Sequence, residues 1–161
     1  MIEPLTLDGV ANAVAGVAGA VDKASTNRIR VRTTREGLRD VIRRVQWLLP
    51  CDRLVSISTV DTTESIELHY HLIGQHRTVV TVTVELPRDA PEIETVSDLL
   101  PSAALYERQI HDLFGVVFRG HPGLTRLILN DDWPRDEHPL RKDWKPVAGT
   151  FYGGAGRRGP G

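Results

Sequence analysis

Hydrophobic positions follow a helical period, then strand alternation, then a helical period again, and lose all period after about residue 119. Val10, Val14, Val17 and Val21 recur at helical spacing through an Ala- and Gly-rich stretch, so residues 6–22 are predicted as a first helix with Thr6 or Asp8 as N-cap. Residues 28–32 alternate arginine with β-branched side chains and read as a short strand. Thr33, with Glu36 three residues on, offers a capping box to a second helix. There Leu38, Val41, Ile42, Val45, Leu48 and Leu49 share one face, and Pro50 ends the run. Arg35, Arg39, Asp40, Arg43 and Arg44 occupy the remaining surface, as a solvated face or a contact with another chain.

Three strand patterns follow at residues 54–60, 65–72 and 78–86, with Asp61 to Thr63 and Gly74-Gln75 compact enough to join them as consecutive hairpins. Val80, Val82 and Val84 fall on one face and Thr81 and Thr83 on the other, as in a sheet with one covered side. Pro87 and Pro91 open a loop. A third helix, capped by Ser97 or Ser102, runs to Phe114 with Gly115 as its stop. Beyond it lie short extended pieces rich in Pro, Gly and charge, then a Gly-rich tail from Gly149 with Arg157 and Arg158. The predicted fold is α+β: a two-layer domain with an antiparallel or mixed sheet, helices on one face and an irregular C-terminal extension. Residues 1–119 form the core domain and 120–161 an extended segment for docking.

Composition narrows the function. A chain of 161 residues suits one domain. Its 20 basic and 21 acidic residues leave a net charge of −1, which gives no global attraction for nucleic acid or an acidic membrane. Cys51 is the lone cysteine, so neither a disulfide framework nor a four-thiolate iron–sulfur cluster or cysteine zinc site can form on this chain. The start, Met1-Ile-Glu-Pro4, carries an acid where a signal peptide needs a basic region. The apolar run at 9–21 is shorter than the roughly 20 residues of a membrane span and lacks the bulky and basic residues of an interfacial anchor. A cytoplasmic protein without its own membrane insertion is expected.

Polar chemistry concentrates in Tyr106-Glu-Arg-Gln-Ile-His-Asp-Leu-Phe-Gly115, then Gly120-His-Pro-Gly-Leu-Thr-Arg126, then His138-Pro-Leu-Arg-Lys-Asp143. On a helix, Glu107 and His111 are four apart, as are Arg108 and Asp112, so each pair can meet. Ile110, Leu113 and Phe114 supply apolar anchoring beside them. Arg108 could offer its guanidinium to a neighbouring chain. Alternatively Glu107 and Arg108 pin the following loop, which Gly115, Gly120, Pro122 and Gly123 mark as needing it. Pro139 biases His138 toward an exposed, extended conformation, and Trp133 and Trp144 flank that segment. Trp133, Arg141 and Trp144 are therefore contact candidates, with cover of the domain's own sheet as the other role for the indoles. His69 and His71 face one side of a strand and, with His76, His111, His121 or His138, would be the ligands of a freestanding histidine-metal hydrolase. No helical His pair supports that reading. Asp131, Asp132 and Asp136 form an acidic turn, and no Gly-rich phosphate loop opens a helix.

These motifs, in this order and spacing, resemble the 30-kDa subunit family of respiratory complex I, the NADH-quinone oxidoreductase. That family extends to components of archaeal proton-pumping dehydrogenases and membrane-bound nickel–iron hydrogenases. Three positions depart from its pattern: Gln109 stands where Glu is usual, Thr125 where a basic residue is common, and His111 where an aromatic is frequent. The resemblance implies a structural or assembly subunit of a peripheral arm, on the cytoplasmic side of the membrane, that moves no electrons itself. Flavin, iron–sulfur clusters or a nickel–iron centre would sit on partner subunits. The implied partners are the large quinone-site or hydrogenase-like subunit, together with its small cluster-bearing neighbour, with the membrane reached only indirectly. The motif residues carried over as contacts with other subunits are Glu107, Arg108, Asp112, Phe114, Gly115, His121, Pro122, Arg126, Trp133, His138, Pro139, Arg141, Lys142, Asp143 and Trp144.

Overall fold

Alternation of apolar side chains sets the sheet, and a computed structural model describes residues 3–150. Helix α1 (Leu7–Ala13) leads to β1 (Val21–Ser25), β2 (Arg28–Thr33), α2 (Leu38–Leu48), β3 (Arg53–Asp61), β4 (Ser65–Ile73) and β5 (Val79–Pro87). Then come β6 (Glu92–Glu94), α3 (Ala103–Phe114) and β7 (Val117–Arg119). The five long strands take the order β1-β2-β5-β4-β3, and β6 pairs with β7 in a separate two-stranded sheet. The β3–β4 and β4–β5 neighbours are antiparallel, as the short turns require. β2 lies parallel to β5, so the sheet is mixed, with α2, β3 and β4 forming the crossover.

One face of the sheet is the core. Ile29, Val31, Val80, Val82, Val84, Leu68, Tyr70 and Leu72 are buried there with Val10 and Val14, with Leu38, Val41, Ile42 and Val45 of α2, and with Ile110 of α3. This is the α+β, two-layer arrangement with helices on one face. At roughly 25 cal/mol per Å² of apolar area removed from water, that layer is the main stabilising term.

Three local expectations are corrected. The first helix does not reach residue 22: it ends at Ala13, and Gly16 turns the chain with φ of 80°. Gly19 N then donates to Arg32 O, and Arg32 N to Ala20 O, both at 2.8 Å. Sheet hydrogen bonds thus outweigh helix propensity in a stretch whose glycines weaken a helix. The capping box at Thr33 does not form either. Gly37 is the N-cap of α2, Thr34 Oγ1 accepts from Gly37 N, and Glu36 pairs with Arg35. Nor is the arginine surface of α2 merely solvated. Arg39 makes a two-pronged contact with Asp98 at 2.7 and 2.6 Å, and Arg44 donates to Ala15 O. The tail beyond residue 150 lies outside the described residues.

Gly74, in the β4–β5 turn, sits so close to the Pro50 carbonyl that a methyl group would collide with it. Because that atom is backbone, Gly74→Ala is expected to lower unfolding free energy by about 2 kcal/mol in urea titration.

Candidate docking site

Helix α3 carries the polar motif, and each of its charged side chains is used within the chain. Glu107 is fully buried. Its Oε1 accepts from Val96 N at 2.9 Å, and its Oε2 is joined to Thr95 Oγ1 in a short hydrogen bond. The buried side chain of His121 lies 3.9 Å away. His121 Nε2 donates to Ala104 O at 3.0 Å, while its Nδ1 accepts from Gly123 N. Burial pushes the Glu107 carboxyl pKa upward against the pull of these donors.

One turn on, Arg108 and Asp112 turn toward the segment after β7. Arg108 donates to Thr125 O at 3.0 Å and to Arg126 O at 2.6 Å. A single oxygen of Asp112, Oδ2, accepts from Leu127 N, Ile128 N and Leu129 N at 2.8, 2.8 and 3.2 Å. Together these residues fix the backbone of 125–129 against the helix. Arg126 in turn closes its own loop onto Asn130 O. The expected i,i+4 contacts, Glu107 with His111 and Arg108 with Asp112, are therefore absent. Tertiary backbone groups, which lack other partners, compete successfully against exposed pairs worth only tenths of a kcal/mol.

The end of α3 is closed by the same segment. Gly115 takes the left-handed conformation at φ of 74° and its N–H reaches His111 O. The next three carbonyls, which a helix cannot satisfy itself, are taken in order. Asp112 O accepts from His138 Nδ1 at 2.9 Å, Leu113 O from Leu140 N at 3.1 Å, and Phe114 O from Arg141 Nε at 2.8 Å. His138 is half-buried, not exposed as the sequence suggested, and burial pulls its imidazole pKa down. Pro139 precedes the two donors at 140 and 141.

A second clip lies at the far edge of the sheet. Asp61, at the end of β3, is buried and receives a two-pronged contact from Arg88 at 2.9 and 2.8 Å. It also accepts from Thr63 N and from Lys142 N. Arg88 reaches Asp143 as well. The Arg88 guanidinium and these backbone donors hold the Asp61 carboxyl far below the usual carboxylate range. Trp133 and Trp144 stack on each other, with ring centroids 5.8 Å apart, and their indole N–H groups go to Glu137 O and Glu137 Oε2. They brace the loop between them.

Most motif residues thus converge on one construction: an irregular ribbon, residues 120–150, tied to α3 and to Asp61. Pro122 stays exposed at its start. Asp61 and Arg88 were missed as members. A turn aspartate and a loop arginine 27 positions apart give no local signal of their pairing. Four of the six histidines do not gather with His69 and His71. His76, His111, His121 and His138 contact the carbonyls of Glu3, Val116, Ala104 and Asp112 in turn. Among the described residues no three His, Cys, Asp or Glu side chains converge as metal ligands.

Residues 31–150 match the family described as the 30 kDa subunit of respiratory-chain NADH dehydrogenase. The chain belongs to that family. It is 38% identical over 121 residues to its counterpart in the F(420)H(2) dehydrogenase of Methanosarcina mazei, covering 73% of this chain and 76% of that one. It is 40% identical over 99 residues to the corresponding component of the NADH-quinone oxidoreductase of Saccharopolyspora erythraea, covering 58% of this chain but 39% of that longer protein. Among solved structures, a chain of the membrane-bound sulfane sulfur reductase, an archaeal respiratory membrane complex, superposes with a TM-score of 0.73. That match has 30% identity and covers 86% of this chain and 85% of the other. No described helix is long and apolar enough to cross a membrane.

Two substitutions test the construction. Gly115→Ala forces a left-handed alanine and drives its methyl into the His138 ring, so a loss of about 2 kcal/mol or more is expected in urea titration. Glu107→Gln can keep the bond from Val96 N and reverse the one with Thr95 Oγ1, its amide donating, without a buried charge. Because Glu107 binds its proton more tightly folded than unfolded, its own contribution to wild-type stability is least favourable above its raised pKa and improves as pH falls through it. His69, His71 and His138, held below their ordinary pKa, lower stability over the same fall in pH in both proteins, so the difference is the test: Glu107→Gln should be the more stable at about pH 8, and its advantage in thermal melts should shrink as pH falls.

Proposed function

We propose that this chain is a docking subunit of the peripheral arm of a membrane-associated respiratory complex, holding neighbours in register and carrying no redox centre. It would pack against the large subunit near the quinone site, with the small cluster-bearing neighbour alongside, on the cytoplasmic side of the membrane. The observation that carries this reading is the direction of the ribbon's side chains. Asp112 and Arg108 hold its backbone inward, while Leu127, Ile128, Leu140 and Val147 stay 40–57% exposed. Fixed backbone with outward aliphatic side chains is the form of a preorganised contact, because little ordering entropy remains to be lost on binding. Cys51 supports the same view: it is buried, and burial pushes its thiol up to about 11, which disfavours the thiolate that cluster ligation needs.

The relatives divide between an F(420)H(2) dehydrogenase at 38% and an NADH-quinone oxidoreductase at 40% identity, which leaves either kind of assembly as the setting. A hydrogenase-type complex is the further alternative. The electron-input subunit that co-purifies with this chain decides among them.

Leu127→Asp/Ile128→Asp should leave the melting temperature of the isolated chain within about 2 °C, since exposed positions tolerate substitution. Recovery of the chain in the purified membrane complex should fall about tenfold or more. Normal recovery of this double variant would remove the ribbon as the contact.

A further inference from the structure

Helices fill one face of the sheet, and the ribbon is tied to α3 and to the end of β3. The opposite face of the central strands carries a different chemistry. Two rows cross it: Arg30, Thr81, His71 and Ser56, then Arg32, Thr83, His69 and Ser58. Thr81 and Thr83 are buried without a second layer above them, because the imidazoles lie across their hydroxyls. His71 Nδ1 is 3.0 Å from Thr81 Oγ1, His69 Nδ1 is 2.9 Å from Thr83 Oγ1, and His71 Nε2 is 2.8 Å from Ser58 Oγ. The two rings stack with centroids 6.5 Å apart.

Beside them runs a groove of about 530 Å³, lined by Ser25, Arg28, Arg30, Ser58, His69 and His71 among others. Its charge is unbalanced. Asp22 of β1 lies 3.8 Å from Arg30 and 3.9 Å from Arg32, which are long, half-exposed pairs. Arg28 has no carboxylate partner among the described residues. On the other side, Glu67 of β4 sits 3.2 Å from His69 Nε2. Both imidazoles are held below their ordinary pKa, first by burial and then by the arginines, with Glu67 pulling His69 the other way.

An arriving anion would meet guanidinium and hydroxyl donors, and its charge would relieve the repulsion among Arg28, Arg30 and the histidines. Phosphate cradles are built from free backbone N–H groups at helix N-termini or nests. Here the β2, β4 and β5 backbones are spent on sheet ladders, so recognition falls to side chains. Arginines two residues apart on a strand stand about 6.6 Å apart, close to the spacing of carboxylates on one face of a strand or one turn of a helix. An anionic bilayer, by contrast, is flat and would be repelled by Asp22 and Glu67 at the groove's margins.

We propose that this groove is a second docking surface, which receives a segment bearing at least two Asp or Glu side chains from a neighbouring subunit. Arg28 and Arg30 meet the carboxylates, and Ser25 and Ser58 donate to their remaining oxygens. The inference rests on the multi-subunit setting of the family and is independent of the ribbon.

A fluorescein-labelled decaglutamate peptide, titrated with the full-length chain at low salt, provides the test by anisotropy. Binding is expected to weaken about tenfold in Arg28→Glu/Arg30→Glu, and less in Arg28→Gln, a mild change at an exposed site that keeps the test valid if the double variant misfolds. Arg43→Glu, on α2, should bind within about twofold of wild type. Because a bound carboxylate favours protonated imidazole beside Arg28, Arg30, Arg32, Asp22 and Glu67, binding should tighten from about pH 7.5 to about pH 6. His69→Gln/His71→Gln should abolish that gradient and retain binding. The Leu127→Asp/Ile128→Asp chain should bind the peptide normally, so a failed ribbon leaves this proposal standing. Absence of binding, or equal loss in Arg43→Glu, would overturn it. So would displacement of the peptide by millimolar inorganic phosphate, or arginine-dependent binding to phosphatidylglycerol vesicles in preference to the peptide.

Discussion

The last turn of α3 ends in carbonyls that the helix cannot satisfy, and the rest of the ribbon's structure follows from how they are closed. Gly115 alone closes the first, because its left-handed backbone brings its N–H to His111 O. The remaining three are met by His138, Leu140 and Arg141, more than twenty residues later in the chain. A segment without helix or strand thereby acquires fixed hydrogen-bonding partners of the kind that secondary structure would otherwise supply. The absence of a side chain at Gly115 also makes room for the His138 ring, so one glycine serves both the turn and the closure.

Closure at one end would leave the ribbon free at the other. Asp112 and Arg108 hold residues 125–129, and the buried Asp61 holds Lys142 while sharing Arg88 with Asp143. Apart from the exposed Asp143 pair, these contacts are charge-assisted bonds to backbone or to the buried Asp61 carboxylate, which are stronger than exposed ion pairs. Removing one partner would strand several donors at once. The concentrated polarity of the motif is therefore structural first, and it leaves a set of aliphatic side chains of the ribbon facing out. On the other side of the domain, the arginine and histidine rows show what a sheet face looks like when no helix covers it. Its polar side chains shield one another.

Much of the fold could be read along the chain. The spacing of Leu38, Val41, Ile42 and Val45, the alternation at Val80 to Val84, and the stop at Gly115 are local signals, and each was realised where it stood. Misreadings arose where local preference was weak and a distant partner decided the outcome. The stretch after Ala13 had helical valine spacing, yet its backbone joined β2, because ladder hydrogen bonds there exceeded the propensity of a glycine-rich helix. Glu107 and Arg108 were legible as important residues, but their partners at Val96 and Thr125 were not. Asp61 and Arg88 are invisible as a pair, since nothing in a turn aspartate foretells a guanidinium from beyond the end of β5, two strands later.

The sequence by itself determined the class of the domain, the family, and the lack of thiolates for a cluster, because periodicity, motif order and cysteine count are properties of the linear chain. Tertiary structure alone decided which motif residues face inward, since hydrogen-bond partners in an irregular segment are set by where the helix end and the strand end lie in space. It also decided that β2 runs parallel to β5, which places three arginines beside two histidines. Neither the ribbon's inward anchors nor that charged groove has a spacing that a one-dimensional pattern could reveal, because both depend on register between strands and helices far apart in the chain.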